Sequence, residues 1–529
     1  MRPVTARRAV RGLAAVLGAA ALVVSAAACG AGGASGGKSA TRIVIGTTAD
    51  VVNYNPLVGN SRTDSWVTNL MYPKLMSMDM EGKRVPHLAT SWEYAEGGTK
   101  ARVKIRDDMK WTDGKPVSAD DVVFTIDAVA KEKIGVVAGL ISSYGSAKAL
   151  SPTEVEFTLT KPDGTFLDNV GFWMAVVPAH VFGKAPSVAK FANDSDWVSA
   201  GPYKLTKVER GQRYVLDRVT PYPLAPDNTP NLEQVVFRVF GDVNTEVLAL
   251  RNGEIDLVAN ALPPTLAKSV QNDNKLKTVE IPSLGWAHMQ YNVQRAPLDK
   301  LEVRQALAAA VDYEAIRKSA LQGAAVSSDS SVLTPTLKQW HDPSAQEYRH
   351  DVAKAKELLA KAGHADGLTL SMIYDQADPN IAKWAQLVRD GAKEAGIEIK
   401  LEGLERNTYV AKGSNRDFDI YAGSWAIMDN PPANLGLAFK CGGFINYANV
   451  CDPELDKLIS QAQEQTDPQA AKDPIQRAAR IISEQVYDNV LYVEKFTFAH
   501  GAKWTGFEQR PSELLSIVNP ESLAKAKAN

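Results

Sequence analysis

Five aspartates, Asp107, Asp108, Asp113, Asp120 and Asp121, crowd the nineteen residues RDDMKWTDGKPVSADDVVF from Arg106 to Phe124. Carboxylates at this density are what general acid–base chemistry or a hard divalent cation uses. Local structure accounts for them without either. Asp113-Gly114 is a turn dipeptide, and Ser118-Ala119-Asp120-Asp121 fits a helix start in which Ser118 caps and both acids sit in the first turn. Asp107 and Asp108 are then turn acids behind a strand that ends at Ile105, and Val122, Val123 and Phe124 carry the helix's buried face.

Other reactive residues are equally unpromising for catalysis. The seven histidines (His87, His180, His288, His341, His350, His364, His500) are scattered, with no H-E-x-x-H and no H-x-H pair, so no metal site is expected. Gly33-Ala34-Ser35-Gly36-Gly37 matches G-x-S-x-G in form but lies in a Gly/Ser/Ala-rich tract, where the strand and helix of a nucleophile elbow are missing. No phosphate-binding G-x-x-x-x-G-K-[ST] occurs, and no G-x-G-x-x-G follows a strand, so neither ATP hydrolysis nor a dinucleotide cofactor is expected of this chain. An exported hydrolase would need a nucleophile–base pair that the sequence does not display.

The N-terminus points outside the cytoplasm. Arg2, Arg7, Arg8 and Arg11 precede the uncharged run LAAVLGAAALVVSAAA, and Cys29-Gly30 follows. Sixteen small residues fall short of the ~20 a spanning helix needs, so residues 1–29 read as an export signal. Arg7-Arg8 leaves a twin-arginine route open beside general secretion. Ala26-Ala27-Ala28-Cys29 resembles a bacterial lipobox, with Ala26 where leucine is commonest, which implies an acylated Cys29 at the mature N-terminus. Residues 30–40 are then a flexible spacer. If lipid consumes Cys29, one pair of the three cysteines remains in an oxidising compartment, and a Cys441–Cys451 disulfide is expected, with two separate buried thiols as the alternative. The net charge of −2, with Lys and Arg interleaved among Asp and Glu, argues against a nucleic-acid partner.

From Thr41 onward the chain reads as α/β. RIVIGT, ARVKIR, EVEFTLT and QVVFRVF are strand-like in the first half, whereas DKLEVRQALAAAVDYEAIRKSAL reads as a long helix-forming stretch opening the second. LTLSMIY, NIAKWAQLVRDGAKEAG and IEIKLEGL then form a β-α-β unit with parallel strands, and FDIYAGSW supplies a further strand. Two α/β lobes meeting near Leu284 follow from this change of rhythm.

The Asp-rich stretch also carries a resemblance. Its Arg106, Trp111, Asp113-Gly114, Pro116 and Ala119 to Val122 follow the order of a signature of extracellular solute-binding protein family 5, the peptide- and nickel-type receptors of ABC importers. VPHLATSWEY, VVPAHVF, AGPYKL, LRNGEIDLV, NVQRAPLDKLEVRQALAAAVDYEAI and FINYANVCDPELDKLI continue in family order over nearly the whole mature chain. The resemblance implies a periplasmic-binding-protein-like, two-lobe fold (type II, cluster C) with an additional domain inserted in the first lobe. Residues 41–72, 186–283 and 496–529 would form the first lobe, 73–185 the insertion and 284–495 the second lobe. It also implies a non-enzymatic, membrane-tethered monomer that hands solute to a permease and its ATPase subunits. A signalling receptor of the same fold remains open beside transport.

In peptide-binding members a W-x-x-D segment supplies an aspartate for the ligand's α-amino group. Here Met428 stands at that spacing from Trp425 and Asp429 comes one residue late. A peptide is the leading expectation, with another amine, a sugar oligomer or a metal chelate behind it. Because loops at the carboxyl ends of parallel strands face the crevice, Trp425 and Asp429 are the expected principal contacts, the former for stacking and the latter for a cation. Arg406 is expected to meet an anion, and Tyr54, Asn55, Trp286 and His288 are weaker candidates. Core packing is the competing role for each aromatic, Asp429 could equally be a turn residue before Pro431, and Pro431 and Pro432 are expected to stiffen the loop.

Overall fold

The computed structural model describes residues 41–529 except 59–60, 345–347, 426–427 and 513. The export signal, Cys29 and the 30–40 spacer lie outside the described residues.

Strand Arg42–Thr47 is parallel to Gln234–Val239 and Leu257–Val258, and the antiparallel strands Arg213–Arg218 and Tyr203–Glu209 extend the sheet from Gln234–Val239. The alternation expected of RIVIGT is realised with Ile43 and Ile45 fully buried. In the second half, Leu368–Asp375 is parallel to both Ile397–Leu404 and Ile420–Ser424, with helix Pro379–Glu394 making the crossover. That helix buries Ile381, Trp384, Ala385, Val388 and Ala392 at helical spacing, and Asp378 caps it by accepting from the Asn380 and Ile381 amides.

One strand, Asp488–Gly501, belongs to both halves. Its first part pairs antiparallel with Ala287–Tyr291 and its last part with Leu276–Pro282 and Leu257–Val258. A continuous twelve-stranded sheet results, but its hydrophobic packing divides. One core draws on residues from Ile43 to Ile281 and again from Phe496 onward, and the other on residues from Leu284 to Tyr492.

Between Tyr72 and Val177 lies a separate four-stranded antiparallel sheet, ordered Ala89–Ala95, Lys100–Ile105, Glu154–Leu159, Tyr144–Ser151, with helix Ala119–Glu132 beside it. Its buried side chains are continuous with the first core.

Two local expectations need correction. The stretch from Asp299 to Leu321 is not one helix. Helix Leu301–Ala310 stops, Val311 is extended, and Asp312 starts a new turn by accepting from the Ala315 amide. The prolines after Asp429 do not stiffen a loop. Pro431 and Pro432 open helix Pro431–Phe439, where their missing N–H groups cost nothing, and Asn430 caps it.

Candidate functional site between the lobes

Three aspartates of the Asp-rich stretch, Asp108, Asp113 and Asp121, are spent on structural contacts. Asp121 Oδ2 accepts from the Ser118 amide at 3.0 Å and Trp111 Nε1 at 3.1 Å, and its Oδ1 accepts from the Ala179 amide at 2.8 Å. Asp108 pairs with Arg106 at 2.5 Å, and Asp113 Oδ2 meets His180 Nε2 at 2.5 Å. The acids hold a helix start and two turns together.

Strand Ile420–Ser424 delivers Trp425 at its carboxyl end, where the Trp425 amide donates to the Trp286 carbonyl at 2.9 Å. The Trp425 ring meets His288 edge-on at 5.1 Å and lies 6.0 Å from Tyr447. His288 Nδ1 is 2.7 Å from Asp488 Oδ2, to which Gln290 Nε2 also donates at 3.3 Å. Both members of the His288–Asp488 pair are buried, the His288 ring packs against Trp425, and His288 Nε2 has no hydrogen-bond partner among the described residues. Trp286 is buried as well, tied to Trp425 through its carbonyl.

After Trp425 the chain turns Met428 into the second core and Asp429 the opposite way. Arg84 Nη2, from strand Arg84–Pro86, donates to Asp429 Oδ2 at 2.5 Å, with the two side chains only 6% and 0% exposed. Arg84 Nε lies 3.4 Å from Asp168 Oδ2, to which Asn430 Nδ2 donates at 3.0 Å, and the guanidinium lies 4.2 Å from the centre of the Phe172 ring. Burial opposes the Arg84 charge, but Asp429 and Asp168 outweigh it and leave the guanidinium's pKa raised. Arg84 and Asp168 belong to the segment between Tyr72 and Val177, Asp429 and Asn430 to the second half, so these bonds join the two parts. Nearby, the Gly164 amide donates to the Gln463 carbonyl at 2.7 Å. Among the described residues Trp425 Nε1, Asp429 Oδ1, Arg84 Nη1 and Trp286 Nε1 are buried without a hydrogen-bond partner. Buried polar atoms without partners are uncommon in a finished core.

The remaining candidates stand apart. Asn55, expected on the opposite wall, spends its amide on the Val188 and Phe191 carbonyls and its Oδ1 on the Leu57 amide, because it closes its own loop. Tyr54 packs against Trp197 and Tyr214 with Arg210 over its ring. Arg406 begins helix Arg406–Ser414, is 67% exposed and pairs with Asp375 at 3.1 Å. Sequence reasoning missed Arg84 and Phe172. Arg84 meets its partner 345 residues away, and nothing in KRVPHL marks it.

A family model described as bacterial extracellular solute-binding proteins, family 5, matches residues 83–446. The chain belongs to this family. Curated relatives of this family 5 protein include a probable D,D-dipeptide-binding periplasmic protein of Escherichia coli, 27% identical over 500 residues and covering 91% of this chain and 94% of the relative. Another is the oligopeptide-binding protein AppA of Bacillus subtilis, 26% identical over 506 residues, covering 91% and 92%. Among solved structures, the ABC transporter substrate-binding protein CtaP of Listeria monocytogenes superposes with a TM-score of 0.83 at 25% identity, covering 92% of this chain and 99% of that one. AppA of Bacillus subtilis in complex with a nonapeptide gives 0.77 at 23% identity, covering 93% and 99%, a likeness of fold. Together they establish the two-lobe binding-protein fold.

Proposed function

We propose that this protein is the solute receptor of an ABC importer, that it captures a peptide between its lobes, and that it delivers the peptide to a membrane permease served by ATPase subunits. The observation that carries the reading is the seam at Arg84 and Asp429. Two buried side chains from the two halves of the chain pair there, four residues along the chain from Trp425, and leave Arg84 Nη1 and Asp429 Oδ1 unused. Those atoms offer a solute the bonds that the protein leaves unmade, and Trp425 offers a rigid aromatic surface at low entropic cost. Relatives named for dipeptides and oligopeptides supply the solute class. Asp429 is already held by Arg84, which Asp168 shares, so a peptide's ammonium must either displace Arg84 from one of the two carboxylates or find another partner. The receptor acts as a monomer tethered by lipid at Cys29. Native mass spectrometry of freshly purified protein is expected to show co-purified peptide. Protein that carries none, and that shows no calorimetric heat with a mixed di- to pentapeptide digest, sinks the peptide reading.

A further inference from the structure

One ring away from the Arg84–Asp429 pair is a small cavity of about 30 Å³, walled in part by Tyr72, Lys74, His87, Phe172, Arg510 and Glu521. Its volume holds about two water-sized groups, which is also the size of the two oxygens of one carboxylate. Lys74 Nζ lies 5.0 Å from the centre of the same Phe172 ring that Arg84 covers, and it is bonded to no carboxylate among the described residues. Burial drives its ammonium down to about 8, with Glu521 resisting and Arg84 adding to the fall.

Arg510 is only 8% exposed, and its Nε has no partner. Its other nitrogens are engaged: Nη1 donates to the Gln509 carbonyl at 2.8 Å, and Nη2 is 3.2 Å from Glu508 and 4.0 Å from Glu521. Among the described residues the only carboxylate on the cavity wall, Glu521, stands 4.0 Å from His87 Nε2 as well and is divided between them. Glu508 also serves Lys525. Two cations therefore face the cavity against one shared carboxylate, with a guanidinium N–H and an ammonium left over. Leaving the Arg510 Nε–H buried and unmet costs more than a neutral gap would, and Lys74 brings a second positive charge to the same wall.

We propose that this cavity is a subsite for a carboxylate of the captured solute, received by Lys74 Nζ and Arg510 Nε with Phe172 as its apolar side. The proposal rests on the protein being a solute receptor, and it adds that the favoured solutes present an acidic end to the first lobe. Arg84 does not take that role, because Asp429 and Asp168 already use its charge.

The test uses the full chain, stripped of solute by unfolding and refolding, and acetate as the carboxylate alone. Reductive methylation with formaldehyde and cyanoborohydride is followed by peptide mass spectrometry at Lys74, with exposed Lys115 as the internal reference. Acetate is expected to slow Lys74 relative to Lys115 by about threefold or more over chloride at equal ionic strength, the protection of a site two-thirds filled. Arg510→Gln is expected to lose most of that protection. Equal rates in acetate and chloride overturn the proposal, as does full protection surviving in folded Arg510→Gln. If that variant does not fold, the wild-type comparison decides alone. Acetate protection in a protein that captures no peptide would leave the subsite standing and remove the peptide reading instead.

Discussion

Arg84 Nη2 and Asp429 Oδ2 meet at 2.5 Å across the junction of the two halves, the shortest of the bonds that hold them together there. Such a pair resists separation less by its own worth than by the cost of stranding either charge. Arg84→Met is therefore expected to weaken closure by about 3–5 kcal/mol, and Asp429→Leu alone to act similarly. The double variant should recover much of the loss. Small-angle scattering of the solute-free protein checks this: a larger radius of gyration in each single variant supports the latch, and unchanged compactness in both counts against it.

Trp425 is the aromatic at the carboxyl end of its strand, and the His288 ring packs against it. Trp425→Ala is expected to weaken peptide binding by about 1–3 kcal/mol, the range for losing one stacked or buried aromatic face. His288→Leu should lose less, since it alters only that packing. Calorimetry with the co-purified peptide measures both. If folded Trp425→Ala binds like wild type, the solute lies elsewhere.

Glu246 in helix Val243–Arg251 is fully buried, and neither carboxyl oxygen has a partner. Burial raises its pKa from 4.5 to about 8. The folded state thus keeps a proton that the unfolded chain releases near 4.5, so stability is full below that value and declines as pH rises through about 8. Glu246→Gln should flatten this decline and be more stable than wild type by a few kcal/mol near pH 8, in line with 1.36 kcal/mol for each unit of pKa. Thermal melts across that range test it, and parallel curves for the two proteins contradict it.

A disulfide joins Cys441 and Cys451, and Asn446 ties the same loop from inside by donating to the Lys440 and Val450 carbonyls. Chain entropy assigns the cross-link roughly 2.5–3 kcal/mol for so short a loop. Because Asn446 already closes the loop in the native state, Asn446→Ala should destabilise the reduced protein beyond the loss from reduction alone. Denaturant titrations with and without reductant give both quantities.

Anchoring through Cys29 has its own readout. Cys29→Ser is expected to shift the protein from the membrane fraction to the medium, since acyl chains hold a lipoprotein through their buried methylenes. Membrane association that survives the change would exclude the acyl anchor.

Patterns local in sequence were legible. The cap at Ser118, the spacing that buries Ile381 and Trp384, and the parallel strands around helix Pro379–Glu394 follow from neighbours within a few residues. The position of Trp425 at the carboxyl end of strand Ile420–Ser424 was legible because a strand end has a topological address. Arg84 was not, since an arginine's partner is written nowhere near it. Asn55 misled for a related reason: its place after the first strand is correct, but the carbonyls that consume it are 133 and 136 residues away. The break at Val311 shows a capping aspartate overriding a run of helix-favouring alanines.

The strand Asp488–Gly501 carries a mechanical consequence. The chain passes between the two cores at two places, around Ser283 and around Glu494, and these passages are neighbours: Pro282 pairs with Lys495, and the Ser283 amide donates to the Glu494 carbonyl at 2.9 Å. Ala325–Val326 adds a short third strand at Val493–Glu494, and a narrow ribbon of this kind is stiff against sliding, because sliding would break its ladder, but it bends readily across its thin dimension. The lobes therefore behave as leaves on one short leaf-spring, able to swing apart about that ribbon while every strand in each leaf keeps its register.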